Sequence, residues 1–413
     1  MEQEQPPERP LVDDERLDNL LAMGENEFQA AFGEAVEKTL DLDTWHTGED
    51  LAAMYQALEQ EVANAVVQEG RIRERIRSDL FPLAFRHPQA PKDCAGNYQV
   101  DVHMLERIHR GLLFNGNVEA CDGTSMVHDS LPVTIAQIGV SLVSYHGDQG
   151  TYVHRLYRRD LRVGGSDPVE EAMKLLEKRK QRDSTDASST RDKLSDFTQR
   201  GIMAYAERAV LLEKSQARWR MGHGHPVPYE LLTGGGLTIN GDMPLLRYSI
   251  NMWRKLLLEH KRWVFVTSAP ADRLLLTLGD ALYPLEFALV ATPLQSMRDI
   301  TRGNLPSGKG LKEEAQKFVE ELGPQIVIGL YRASAQAPVR LFYAHREFAC
   351  EAALIAMADS VLQEHRGFPM LIDLADAVCR ATFGGETFRS MVQQAYAGAG
   401  EPFRYLGERE TRN

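Results

Sequence analysis

The first residue whose type and setting suggest chemistry is Asp122, which follows a short apolar run at 118–121 and precedes Gly123 and Thr124. A carboxylate at the end of a strand, backed by glycine and a small hydroxyl, is placed to hold a divalent cation for phosphodiester cleavage. Such chemistry takes several carboxylates converging from different elements, because hard cations want oxygen ligands and both the attacking and the leaving oxygen need stabilising. A lone Asp-Gly is an ordinary turn, so Asp122 counts only if other acidic residues join it. Two further motifs fall short. GNLPSGKG, from Gly303 to Gly310, nearly spells a phosphate-cradling loop, but Gly310 stands where a Ser or Thr must follow the lysine, and SMRDITR before it does not read as a buried strand. It reads as a flexible basic loop. His223-Gly224-His225 lacks a third ligand at metal-binding spacing and reads as an exposed loop. The four cysteines, at 94, 121, 350 and 379, form no CxxC pair and read as buried thiols.

The elements around Asp122 follow from periodicity. Residues 118–121, 133–145 and 151–163 are rich in β-branched and apolar residues, and predict an antiparallel meander. A Ser/Thr/Asp-rich stretch at 164–193 predicts a mobile insertion, and a long helix follows over 194–216. The second half alternates. Strands are expected at 227–232, 263–267, 325–331 and 338–343, and helices at 243–259, 271–282, 347–365, 368–383 and 387–396. This pattern predicts an α/β (α+β) architecture, a mixed sheet flanked by helices. Ahead of it, Leu17, Leu20 and Leu21, then Phe28, Phe32, Val36 and Leu40, then Leu51, Met54, Tyr55, Leu58, Val62 and Val66 recur at helical steps. That face needs a partner, either the rest of this chain or another subunit. The organisation expected is an acidic helical region over 1–110 and a second domain over 111–413 that carries the mobile insertion.

The chain has 413 residues and a formal net charge of −12. The acidity is uneven: residues 1–70 hold 18 Asp and Glu against 3 Lys and Arg, leaving 41 against 44 in the remainder. The body is slightly basic, compatible with nucleic acid. Cations able to meet phosphates are Arg247, Arg254, Lys255, Lys261 and Arg262 along and just after 243–259, and Arg155, Arg158 and Arg159 on the third strand. No apolar run reaches the length of a membrane span, and the first residues are acidic where a signal peptide is basic and then apolar. A cytoplasmic protein is expected.

Over residues 111–385 the sequence resembles the NurA family of DNA-end-processing nucleases. That family carries Asp-Gly-Ser at the end of its first core strand, a Glu on a long helix, a second Asp-Gly after a short apolar strand, and a late Tyr-Pro followed, eight residues after the Tyr, by Ala-His. Asp122-Gly123-Thr124 matches the first. MAYAERAVLLE supplies the second, with Glu207 the better match and Glu213 the alternative. The expected strand at 227–232, running into Thr233 and three glycines, resembles the third in outline. Gly367-Phe368-Pro369 and Ala375-Asp376 reproduce the fourth.

The resemblance implies a ribonuclease-H-like core, a homodimer, Mn²⁺ or Mg²⁺ held by Asp122, Glu207 and Asp376, and DNA as substrate. It also implies a HerA-type hexameric translocase as partner, in DNA repair or defence against phage. Asp129 or Asp242 stands as the fourth ligand on sequence proximity alone. Three departures bear on activity: Thr233 replaces an acidic residue, Phe368 lacks the phenolic donor of the family's Tyr, and Asp376 replaces His. The alternative function is a catalytically degenerate DNA-binding or assembly subunit.

Overall fold

The computed structural model describes residues 27–30, 32–45, 51–129, 133–158, 169, 173, 196–267, 272–303, 305 and 310–403. Contacts divide the chain into two units, Met1–Ile72 and Arg73–Asn413. Most of helix α1 (Leu51–Arg75) belongs to the first. Its expected apolar spacing is present, and Met54, Tyr55, Leu58, Val62 and Val66 along it are all exposed. The leucines at 17, 20 and 21, nearly all of 164–193, and residues 306–309 of the glycine-rich motif lie outside the described residues.

In the second unit the described residues form a nine-stranded sheet. Its strands are β1 (Gly96–Gln99), β2 (Val118–Asp129), β3 (Thr134–Ser144), β4 (Gly147–Arg158), β5 (Trp219–His223), β6 (Trp263–Thr267), β7 (Glu286–Ala291), β8 (Ile326–Arg332) and β9 (Arg340–His345). They lie in the order β1-β7-β8-β9-β6-β5-β2-β3-β4. The expected meander is there, β2-β3-β4 antiparallel, while β5 and β6 run parallel to β2. The helices used below are α2 (Asp196–Glu213), α3 (Pro244–Trp253), α4 (Arg273–Asp280), α5 (Leu294–Gly303), α6 (Leu311–Leu322), α7 (Ala349–Ser360), α8 (Met370–Phe383) and α9 (Gly385–Gly398). This is the mixed sheet flanked by helices, of α/β (α+β) class, that the sequence leads one to expect.

Burial on both faces of the sheet explains why β6 is apolar almost throughout. In β6, Val264 and Val266 enter one core and Trp263 and Phe265 the other, because successive residues of a strand face opposite sides and both sides are covered. The first core holds Ala352, Ala353 and Ala356 of α7, fully buried with Val118 and Ala120; alanine side chains let this helix lie close to the sheet. The second core gathers Leu211, Trp253 and Phe318 from α2, α3 and α6, with the Trp253 and Phe318 rings stacked at 5.6 Å.

Two local expectations fail. Residues 227–232 are not a strand: Tyr229–Leu232 is a short helix with Pro228 at its N-cap. Pro226 and Pro228 remove backbone donors on both sides of Val227, which a central strand cannot tolerate. The strand is β5 instead, eight residues earlier. Nor does β2 end before Asp122; it continues to Asp129, so Asp122-Gly123 lies inside a strand. Strands β1 and β7 and helices α5 and α6 were not anticipated. Helix α5 covers SMRDITR, so no strand precedes the glycine-rich motif.

Candidate active site

Strand β2 pairs in parallel with β5 only from Val118↔Trp219 to Cys121↔Gly222. Asp122 is the first residue past that pairing, so a crevice opens at the carboxyl end of the parallel strands, where ligands bind in sheets of this kind. The cavity there has a volume of about 470 Å³ and is lined by Asp122, Glu207, His223, Arg340, Arg366, Phe368, Asp373 and Asp376, among others. The three carboxylates expected from the sequence thus face one cavity from β2, α2 and α8.

Gly123 lets α2 come down onto β2. A Cβ at that position would lie 2.6 Å from Glu207 Oε1 and 2.9 Å from Met203 Cγ, closer than real Cβ contacts allow. Glu207 is steadied from the other side by Arg208, whose Nη1 donates to Glu207 Oε2 at 3.0 Å. Arg208 is itself fully buried, donating to the carbonyls of Ala204, Pro226 and His225, with its guanidinium 5.2 Å from the Phe265 ring centroid. Those acceptors compensate the burial of its charge.

Burial pushes both Asp122 and Glu207 well above the usual carboxylate range. For Asp122 the Gly123 N–H, 2.9 Å from Oδ1, opposes the rise and the nearby Asp376 adds to it. For Glu207, Arg208 opposes and Asp122 adds. Two buried carboxyls that resist ionising in each other's presence are a site that a cation would relieve.

Asp376 and Asp373 project from α8, three residues apart and hence on one helix face. Asp376 pairs with Arg380. Asp373 accepts from Arg366 Nη1 and Nη2 at 2.6 and 3.2 Å and from Gln363 Nε2 at 2.6 Å. The fully buried Asp359, near the end of α7, fixes the start of α8 by accepting from the Leu371 N–H at 2.8 Å and from Tyr145 Oη at 2.5 Å. It caps a helix whose own N-cap residue, Pro369, has no side-chain oxygen to offer. Among the described residues no three His, Cys, Asp or Glu side chains are already gathered closely enough to hold an ion. Arg208 and Arg380 occupy Glu207 and Asp376 instead.

The fold is similar to that of NurA nucleases. The NurA nuclease from Sulfolobus solfataricus aligns over 86% of this chain and 99% of its own, at 11% identity and a TM-score of 0.44. A second NurA structure aligns over 82% and 96%, at 10% identity and a TM-score of 0.42. One bound to dAMP and manganese aligns over 85% and 98%, at 9% identity and a TM-score of 0.38. No protein-family model and no curated protein matches the chain. At these scores the NurA likeness is one of overall outline, and the site is read from this chain's own residues.

Several sequence expectations resolve at the level of residues. Glu207 faces the cavity, whereas Glu213 is exposed at the end of α2 and does not line it. Asp129 is seven residues farther along β2, roughly 23 Å from Asp122 at strand rise. Asp242 is paired with Arg247 and stands outside the lining. Thr233 is buried and donates to the Tyr229 carbonyl at 2.7 Å, with no place in the cavity. The residue that does occupy the end of the short strand is His223, followed by Gly224. The expectation of an exposed loop there is corrected: His223 lines the cavity with Nδ1 3.8 Å from Asp122 Oδ2, and His225 packs on Tyr343 at 4.4 Å. Arg340, Arg366 and Asp373 were also missed; only Asp373, one turn before Asp376, carried a readable spacing.

The cations proposed for phosphate contact are mostly engaged elsewhere. Arg254 pairs with Glu321, Lys261 with Glu347 and Arg247 with Asp242; Arg262 lies over Phe348, and Arg155 donates to Gln137 at 2.6 Å. The Arg158 side chain and Arg159 lie outside the described residues. Among the described residues no helix is long and apolar enough to cross a membrane.

Proposed function

We propose that the chain is a divalent-metal-dependent deoxyribonuclease of the NurA type. The observation that carries this reading is the convergence of Asp122, Glu207 and Asp376, from three elements spread over more than 250 residues of sequence, on one cavity that also holds His223. The donor set fits Mn²⁺ or Mg²⁺: carboxylate oxygens in a buried pocket whose ionisation a cation would favour. Asp122 and Glu207 would hold the ion, and Asp376 would join on leaving Arg380. When bound, the metal supplies Lewis acidity and a water acidic enough to attack phosphorus. The protein's part is to keep Glu207 fixed through Arg208 and Gly123, to keep α8 in register through Asp359, and to present His223 where it can take or give a proton beside Asp122. Action on DNA ends, a homodimer, a HerA-type hexameric translocase partner and a place in DNA repair or anti-phage defence belong to the same proposal, resting on the resemblance of the motifs.

A second reading, a catalytically silent DNA-binding or assembly subunit, is favoured by the arginines that occupy Glu207 and Asp376 and by Phe368, which offers no hydroxyl. One experiment separates them. Linear and single-stranded DNA are incubated with purified protein and Mn²⁺, with and without a translocase, beside Asp122→Ala. Cleavage by the parent and not the variant is expected; no cleavage under any condition, or equal cleavage by both, overturns the nuclease reading.

A further inference from the structure

The cavity has a second wall that the carboxylates leave unexplained. Phe368, 5% exposed, is among its lining residues, with the Arg340 guanidinium 5.5 Å and the Arg366 guanidinium 5.9 Å from its ring centroid. Arg340 is anchored by donating from both Nε, at 3.1 Å, and Nη2 to the Arg366 carbonyl, which fixes Arg366 beside it. Two guanidinium groups thus share one aromatic plate and line the same space as Asp122 and Glu207. Like charges brought this close raise each other's energy, and an anion between them lowers it. Arginine suits that anion when it is a phosphate, because its planar fork donates two parallel hydrogen bonds.

The fork of Arg366 is filled by Asp373, both of whose carboxylate oxygens accept from it. A bidentate carboxylate presents to a guanidinium nearly what two phosphate oxygens would. The exchange is accessible, since the Arg366 side chain is 60% exposed.

Resting on the nuclease reading, we propose that Arg340 and Arg366 form the phosphate-binding wall of the site. They would grip a backbone phosphate of the DNA strand beside the one that faces Asp122 and Glu207, while Asp373 holds the place of that phosphate until DNA arrives. Binding then exchanges the Arg366–Asp373 pair for an Arg366–phosphate pair. Asp373 acts as an internal competitor, and its removal strengthens binding.

The test is fluorescence-anisotropy titration of a labelled single-stranded DNA oligonucleotide in EDTA, at several salt concentrations, with the parent, Arg366→Gln, Arg340→Lys, Asp373→Asn and Asp122→Asn. Loss of one phosphate contact should weaken binding about tenfold or more and flatten the plot of log K against log salt by about 0.7. Arg366→Gln should show both effects, and Arg340→Lys weaker binding with a nearly unchanged slope, since lysine keeps the charge but loses the paired donors that hold Arg340 to the Arg366 carbonyl. Asp373→Asn should bind more tightly than the parent. Asp122→Asn should keep the parental slope, which separates the two walls. If the parent binds and cuts DNA but Arg366→Gln matches it in affinity and slope, or Asp373→Asn binds no better, this inference fails and the nuclease reading stands. If the parent binds no DNA, both fall together.

Discussion

Replacing Asp122 by Asn should make the metal-free protein more stable above neutral pH while removing its response to divalent cations. Burial, with Asp376 nearby, lifts the Asp122 carboxyl from its ordinary 3.8 to about 7. A group raised on folding contributes its stability fully below its unfolded value and loses it as pH rises through the folded one. At pH 8 Asp122 is therefore ionised at the expense of the fold, by up to about 4 kcal/mol at 1.36 kcal/mol per pH unit. Burying an amide in its place takes back part of this, and an expected gain of about 2–4 kcal/mol remains for the variant; Glu207, raised in part by Asp122, relaxes in the same direction. Asparagine is the right replacement because its Oδ1 keeps the acceptor for the Gly123 N–H. Unfolding by urea in EDTA at pH 8 and pH 5 should show the variant ahead at pH 8, with the advantage shrinking toward pH 5. Added Mn²⁺ at a hundred times its Kd should stabilise the parent by about 2.7 kcal/mol and leave the variant nearly unchanged. A variant less stable than the parent at pH 8 without metal, or one that gains equally from Mn²⁺, would refute the reasoning.

Arg208→Met should cost about 3–5 kcal/mol at pH 8, because Glu207 would be left as a buried charge without its partner; at pH 5, where Glu207 is protonated, the loss measured by the same urea titration should be smaller. Gly123→Ala should cost about 1–3 kcal/mol and cut nuclease activity at least a hundredfold, a loss that a steady-state cleavage assay would register even in the folded fraction. Asp359→Ala leaves the Leu371 N–H and Tyr145 hydroxyl unmatched, so a loss of about 1–3 kcal/mol is expected, together with weaker Mn²⁺ binding by calorimetry as α8 loses its register. Mn²⁺ affinity of the parent should drop about tenfold per pH unit below neutrality for each proton displaced; a flat profile between pH 5.5 and 7.5 would show that Asp122 and Glu207 do not hold the ion.

How much of this was legible in the sequence depends on whether the deciding contact is local. Helix α2 and the strands flanking Asp122 announce themselves by periodicity, so Asp122 and Glu207 could be placed on their elements. Strand β5 could not. Trp219 and Met221 are its only large apolar residues, Arg220 and Gly222 interrupt it, and its strand character comes from parallel pairing with β2 and β6 on either side. With β5 hidden, His223 read as part of a glycine-rich loop, and the apolar residues at 227, 231 and 232 drew the strand to the wrong place. The arginine wall was hidden for a similar reason: Arg340 and Arg366 are 26 residues apart, and only the hairpin of β8 and β9 with the turn before α8 brings them together. Asp376 became visible through the NurA motif spacing alone.

Gly123 has one further consequence. Because the space over its α-carbon is taken by Glu207, the identity of this residue is dictated by another part of the chain, 84 positions away, rather than by the backbone on either side. Here the Asp122-Gly123 pair lies within an unbroken strand, and it marks the point over which α2 passes with its acidic side chain turned toward the sheet.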